Sequence, residues 1–462
     1  MYTLKKPYFL LLLDAKSAFD LIPKESVIVN AFKAGTQDQG LLYLNNRLGN
    51  RQTFCEWSKS LMGPIHDNLG VEQGGINSDR LYKLANNNQI RVAQNSLLGV
   101  DLGSSVISSI GQADDNALQA NSIHDLHNLL ILTLDYCERY NVTLVPEKTK
   151  LLAFSPPGCE TSVEYAKNIS PISIDGKSIP FSESGEHVGV IRSTVGNGPS
   201  ILSRISAHRK AVFSLLSSGL AKNHRANPAA SITVERLYGL PVLLSGLATL
   251  VLSTPELATL ESHFKLHIQN ILKLHDGTPS PVIWFLSGCL PFTAQLHLRM
   301  MSLFGMITRL DCGRNVLAMH AREVYATARP SSKSWFYQIQ KLCIQYGLPH
   351  PIMYLDSPPT KSSFKLSVKA SIIDYWERRL RGEANLLSEA SLKYFKSNFM
   401  SLTATHPGLF FLWLLSLRSC QSKDSGQMSL RTGPNRGSYT TLGSCKQKRK
   451  LCSLCRRKTF SW

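Results

Sequence analysis

The residues best equipped for chemistry are the two neighbouring carboxylates of Gly111-Gln112-Ala113-Asp114-Asp115-Asn116. Adjacent carboxylates repel unless a cation lies between them or one carries a proton. Hard cations such as Mg²⁺ take oxygen ligands, and phosphates commonly complete their shell. Asp114 and Asp115 are therefore candidate metal ligands; the alternative is a pair of solvated turn acids. A third acid, Asp14, ends the apolar run at residues 8–13. An acid at the end of a buried strand is costly unless it is solvated or coordinates something, and the alternative is a helix cap. Two further stretches have chemical potential. Gly70-Val71-Glu72-Gln73-Gly74-Gly75-Ile76-Asn77-Ser78 precedes a helical pattern. Glycines there let backbone approach a ligand, and a helix N-terminus favours anions. Glu147-Lys148-Thr149-Lys150 places a basic pair before another apolar run.

These groups need elements to hold them. The run at residues 8–13 reads as a buried central strand. It is too short for the core of a signal peptide, which needs about 7–15 apolar residues. Pro23 then opens a helical pattern with Val27, Ile28 and Phe32 on one side. A second helix runs through Leu81, Leu84 and Ala85. Val106, Ile107 and Ile110 before the acids, and Ala117 and Leu118 after them, predict a hairpin with both acids at its tip. Ser122-Ile123-His124-Asp125 has the capping-box pattern, and Ile123, Leu126, Leu130, Leu134 and Cys137 follow at helical steps. The chain turns at residues 141–146 and returns as a strand at Leu151-Leu152-Ala153-Phe154. Strand, helix, helix, hairpin, helix, strand makes an α+β layer, a small antiparallel sheet with helices on one face. It sets Asp14 and the Asp114/Asp115 tip on adjacent strands. Three carboxylates at one sheet edge are the constellation of two-metal nucleotidyl transfer.

Four blocks in this order, Leu12-Leu13-Asp14-Ala15-Lys16-Ser17-Ala18-Phe19-Asp20, the Gly70 to Gly75 stretch, Ala113-Asp114-Asp115 and Glu147-Lys148-Thr149-Lys150, resemble the palm of a reverse transcriptase. They are most similar to those of non-LTR (LINE-type) retrotransposons. Gln112 departs from the pattern, since the family usually has an aromatic there. The resemblance implies that Asp14, Asp114 and Asp115 hold two Mg²⁺ ions, with Asp115 the supporting member. It implies that Phe19 is the steric gate against ribonucleotides, or otherwise a core side chain. Gln73 and Gly74 would lie against the incoming nucleotide and template. Lys148 would stand near the leaving pyrophosphate, or otherwise be a solvated turn lysine. The implied partners are an RNA template, a DNA primer and dNTPs, and the implied activity is RNA-directed DNA polymerisation. Only thirteen residues precede Asp14, so the expected fold is a right-hand polymerase palm without most of its fingers, a fragment of such an element. The second function class is a catalytically inactive nucleic-acid-binding remnant.

The expected division is a palm at 1–165, a mostly helical thumb and connection at 166–310, a helical region at 311–420, and a basic tail at 421–462. A hairpin is predicted around Asp175-Gly176, and His187-Val188-Gly189-Val190 resembles the short strand after the palm. From Pro199 a helix turns Ile201, Ile205, Val212 and Leu215/Leu216 inward, with Arg204, Arg209 and Lys210 on its other side. The resemblance implies that these three contact nucleic-acid backbone; otherwise they are a solvated polar face. Residues 237–252 are expected as a buried helix pair. His263 and His267 are four apart without the Glu-bearing zinc motif and are expected to be core or surface histidines. Phe364 opens a further helical stretch to Leu380.

The formal net charge of +19 on 462 residues suits a polyanionic partner. Ten Lys/Arg against Asp424 alone fall within 421–462, a basic tail that binds phosphate or remains unfolded. Cys452 and Cys455, with Cys445, form an incomplete zinc site: three thiolates without a fourth ligand hold zinc poorly, and no zinc cofactor is expected. The other seven cysteines are scattered, which favours a reducing, intracellular setting, nucleus or cytoplasm. No apolar stretch reaches the ~18 clean residues of a membrane span.

Overall fold

In the computed structural model the continuous apolar run Tyr-Phe-Leu-Leu-Leu-Leu becomes β1 (Tyr8–Leu13), buried on both faces. The structure describes residues 6–49, 52–66, 69–72, 75, 77–103, 105–155, 171–215, 227–310, 315–327, 332–386 and 402. After β1 come α1 (Ala18–Leu21), α2 (Lys24–Lys33) and α3 (Asp38–Gly49). The hairpin of β2 (Gln52–Trp57) and β3 (Ser60–His66) and the long helix α4 (Ser78–Asn95) follow. A two-residue pair, β4 (Val100–Asp101) and β5 (Val106–Ile107), precedes the hairpin of β6 (Ser109–Gln112) and β7 (Asp115–Ala120). Then come α5 (Ile123–Arg139), β8 (Lys150–Phe154), and the hairpins β9 (Ser173–Ile174)/β10 (Lys177–Ser178) and β11 (Ser184–His187)/β12 (Val190–Ser193).

One four-stranded antiparallel sheet, in the order β6-β7-β1-β8, organises this part. Phe9, Leu11 and Leu13 point to one face. There they pack with Leu118, Ala120, Leu151 and Ala153 against Leu126, Leu129 and Leu130 of α5 and Ala93 of α4. Leu10 and Leu12 point to the other face, with Ala117 and Leu152. This period-2 division of one apolar run is what a central strand requires. Helix α5 starts where its sequence signal predicts, with the Ser122 Oγ accepting the Asp125 backbone N–H at 3.0 Å.

The chain divides into two compact units, Met1–Ser200 with Gly313–Ser334, and Ile201–Cys312 with Trp335–Trp462. The second is helical among its described residues. It takes most of α6 (Gly198–Leu215), then α7 (Pro228–Val234), a π-turn at Glu235–Gly239, α8 (Leu240–Leu244), α9 (Thr254–Ile271), α10 (Ser280–Ser287) and α11 (Phe292–Thr308). Helix α12 (Val316–Thr327) belongs to the first unit. Helices α13 (Trp335–Gln345), α14 (Pro351–Asp356) and α15 (Lys361–Asn385) complete the second. Its core gathers Phe264, Phe285, Phe292, Phe304, Ile339 and Ile372.

Several local expectations change. Phe32 is exposed, and Ala31 takes the inward position one residue earlier, four after Val27. Val106 and Ile107 do not extend the acid-bearing hairpin but pair with β4. Residues 237–252 are not a buried helix pair. Leu237 and Tyr238 are exposed on the π-turn, while Leu240, Leu243, Leu244 and Leu247 are buried. Pro241, Ser245 and Gly246 break this apolar stretch into short turns. Leu216 and the tail at 421–462, with Cys445, Cys452 and Cys455, lie outside the described residues, as does the side chain of Leu215.

Candidate active site

The site begins with the register of two strands. β1 and β7 pair from Phe9↔Ala120 to Leu13↔Asn116. One step further the same register sets Asp14 opposite Asp115. On the hairpin itself Gln112 pairs with Asp115, leaving Ala113 and Asp114 as the two-residue loop. Only one of the two acids therefore occupies the tip; the other opens β7. Ala113 has φ of +58°, a left-handed conformation that costs a residue with a Cβ.

Hydrogen bonds from the helical side hold this turn. Asn86 Nδ2 of α4 donates to the Ala113 carbonyl at 2.8 Å and to Asn116 Oδ1 at 3.3 Å. Asn116 Nδ2 donates to Gln89 Oε1 at 3.2 Å. All three side chains are buried. Gly111 makes room for them, because a Cβ there would lie 2.2 Å from Asn116 Oδ1 and 2.9 Å from Ile90 Cδ1.

Asp14 is fixed through its backbone from the other side. Its carbonyl accepts the Val145 N–H at 2.8 Å, and its N–H meets Thr149 Oγ1 at 3.4 Å. Thr149 is fully buried, while the Asp14 side chain remains 41% exposed. Lys148, on the turn between α5 and β8, holds its Nζ 3.6 Å from Asp14 Oδ2 with 70% of its side chain in solvent. That pair is loose and screened, so it adds little to stability.

Phe19 stacks on Tyr82 of α4 with ring centroids 4.6 Å apart. It packs against the buried cluster of Ala18, Val27, Val71 and Tyr82, as does Ala113. Burial and the nearby Asp114 carboxylate both push the Tyr82 hydroxyl pKa upward. The gate residue of the sequence reading thus lies in the same cluster as the acid turn. The stretch before Gln73 is docked there too: Val71 N–H donates to the Phe19 carbonyl and Gly70 N–H to the Ile22 carbonyl, both at 2.8 Å. Gln73 and Gly74 lie outside the described residues. Just before them Glu72 accepts from Arg47 of α3 at 3.3 Å, a basic group that the sequence reading did not single out.

His187 was also not singled out as a site residue. Hairpin β11/β12 packs against β1, β7 and β8. Gly185 permits this, since a Cβ there would lie 2.4 Å from Leu12 Cδ1. Burial alternates along β11, with Gly185 and His187 inward and Glu186 outward. His187 lies against Asp115 and hydrogen-bonds its backbone; burial and Arg192 push the ring pKa down.

Among the described residues, the trio whose ligand atoms all lie within 4.8 Å of one another is not the aspartate set but His208, Glu235 and His267. His208 Nε2 and His267 Nε2 each bond one Glu235 oxygen, at 2.9 and 2.8 Å. His263 Nε2 meets His208 Nδ1 at 3.0 Å. Burial pushes the Glu235 pKa up, but these hydrogen bonds outweigh it and bring it down to about 2. The cluster satisfies itself as a hydrogen-bonded network and is not a metal centre. His263 and His267 are both held within it.

The aspartate set still suits Mg²⁺ by donor chemistry. It offers carboxylate oxygens only, at a solvent-reached sheet edge that leaves room for the waters this ion retains. Uncompensated carboxylates repel, which opposes a tighter grouping. On α6 Ile201 and Ile205 are buried, Arg204 is half-buried, and Arg209 and Lys210 are exposed. No helix among the described residues is long and apolar enough to cross a membrane.

Residues 2–179 match the family model described as reverse transcriptase (RNA-dependent DNA polymerase). No curated protein matches the chain. The matched segment runs from before β1 to the end of β10 and contains Asp14, Asp114, Asp115 and Lys148.

Proposed function

We propose that this chain is an RNA-directed DNA polymerase of the non-LTR retrotransposon kind, extending a DNA primer on an RNA template. The observation that carries the reading is the β1/β7 register inside the matched segment, whose last pair, Leu13↔Asn116, lies next to Asp14 on one strand and Asp115 on the other. Phosphoryl transfer demands positioning and charge neutralisation more than covalent participation. Asp14 and Asp114 would hold two Mg²⁺ ions, with Asp115 in support. When bound, such ions lower the pKa of an attacking hydroxyl and stabilise the leaving oxygens. The chain itself supplies the rest. The Asn86–Asn116–Gln89 network and the Val145 and Thr149 bonds fix the strands that carry the acids. Phe19, braced by Tyr82, limits space at the sugar of the incoming nucleotide. The Lys148 ammonium, free to move in solvent, gives a proton to the departing pyrophosphate. Gln73 and Gly74 line the nucleotide and template, and Arg204, Arg209 and Lys210 hold nucleic-acid phosphates along α6.

The test is primer extension by the purified chain with an RNA template, a DNA primer, Mg²⁺ and dNTPs. Extension is expected, and Asp114→Asn is expected to reduce it by more than about 100-fold, the scale for removing a preorganised charge-stabilising group. A chain that binds RNA in a salt-sensitive way yet extends no primer would sink the polymerase reading and leave a nucleic-acid-binding remnant.

A further inference from the structure

We infer that His187 is a positioning residue for the acid pair, holding the backbone of Asp115 from the face of the sheet opposite α5. The inference rests on the polymerase reading of the carboxylates and adds to it a residue from outside the matched segment, which ends at 179.

Three observations converge. First, β11 crosses the sheet on the Leu10/Leu12 face, and Gly185 brings its backbone into contact with Leu12 and Leu152. Two residues on, the strand's alternation carries His187 inward to β7 rather than outward to solvent. Second, the imidazole is only 8% exposed and its Nε2 is buried without a hydrogen-bond partner. A buried polar atom left unpaired carries a free-energy cost. Filling this place with an apolar side chain would avoid that cost, so the imidazole must earn its place through its other contacts. Third, the ring hydrogen-bonds the backbone of Asp115. Asp115 closes the hairpin opposite Gln112, so holding its backbone also holds the loop that presents Asp114. Arg192 on β12 is the cation that acts on the ring. Asn86 and Asn116 fix the turn from the α4 side; His187 fixes it from the other.

The experiment uses the full chain with His187→Leu, which fills the space but cannot donate, and His187→Gln, which can. Mn²⁺ binding is titrated by electron paramagnetic resonance with dATP, RNA template and a primer lacking its 3′-hydroxyl. Steady-state extension gives kcat and the KM for dNTP, and thermal melting reports folding. His187→Leu is expected to weaken Mn²⁺ binding about tenfold and to lower kcat by a similar factor, the scale for losing an outer partner of a metal ligand. The KM for dNTP stays near its wild-type value, and His187→Gln restores both quantities. A folded His187→Leu chain with wild-type Mn²⁺ affinity and kcat overturns the inference, as does a folded His187→Gln chain that rescues neither. If His187→Leu does not fold, His187→Gln decides alone; if neither folds, the role is structural and the inference falls. A wild-type chain that binds Mn²⁺ at this site but extends no primer sinks the polymerase reading alone, and the Mn²⁺ titration of the variants still decides for His187. A wild-type chain that binds no Mn²⁺ overturns both.

Discussion

Lys148 and Asp14 approach to 3.6 Å, yet the lysine is mostly in solvent. Two roles for it separate cleanly. As a mere ion-pair partner, its loss would change stability by no more than about 0.5 kcal/mol and leave turnover intact. As a proton donor to pyrophosphate, its loss lowers kcat by about 100-fold, the lower end for general acid catalysis. We expect Lys148→Ala to show the second pattern: an unchanged melting temperature and a collapsed kcat in single-nucleotide extension. Phe19 offers a similar separation. Its ring is fixed against Tyr82, so truncation opens space without unfolding the strand that carries Asp14. Phe19→Ala is expected to raise the efficiency of ribonucleotide relative to deoxyribonucleotide incorporation by about 10–200-fold, the range that one steric contact can discriminate. A ratio of kcat/KM values that stays at the wild-type level would mark Phe19 as core packing alone.

The elements differ in how much of them the sequence revealed. β1, α5 and β8 were legible because two are apolar runs too short for a buried helix and the third is a capped three-and-four repeat. The adjacency of Asp14 to the acid hairpin followed from the order of those elements. What bound them was not legible. Asn86, Gln89 and Asn116 look like ordinary helix and strand polars until the fold sets them 3.2–3.3 Å apart. His187 lay inside a stretch read only as a short strand, and nothing local marks the residue it touches. Glu235 likewise has no signal near His263 and His267; a π-turn delivers it to His267 from 32 residues away in sequence. Long-range polar contacts leave no periodic trace, so pattern reading passes over them. The network has a measurable consequence. Asn116→Ala removes the partner of both Asn86 and Gln89 in a buried place and should destabilise the domain by about 1–3 kcal/mol, read as a shift in the urea midpoint. Extension should fall with it, because the same change loosens the Ala113–Asp114 loop.

At the scale of the whole molecule, pH separates the helical unit's stability from the chemistry of the acids. Burial pushes the His297 pKa from 6.5 down to about 4, with its Nδ1 2.6 Å from the Tyr346 hydroxyl. Burial, and then His208 and Arg209, bring His263 to about 4 as well. For both, the unfolded chain takes up a proton at higher pH than the folded one. Their stabilisation is therefore complete above pH 6.5 and is lost as pH falls from 6.5 to 4. Glu235, ordinarily 4.5 and here about 2, adds a second loss as pH falls below 4.5. His297 alone accounts for about 3 kcal/mol across its window. Thermal melting should thus show a steep decline below pH 6.5, and His297→Gln should flatten the upper part of it.

The sheet order has a further consequence, during synthesis on the ribosome. β1 is the central strand, but its partners are β7 at residues 115–120 and β8 at 150–154. The strand emerges before either partner and cannot be paired on both edges until β8 has been made. At typical elongation rates that interval is roughly 7–30 s. Throughout it, a six-residue apolar segment with at least one open edge is exposed to other nascent chains. The most protected strand of the finished protein is the most vulnerable one while it is being made, and its yield in a cell should depend on the chaperones that meet it there.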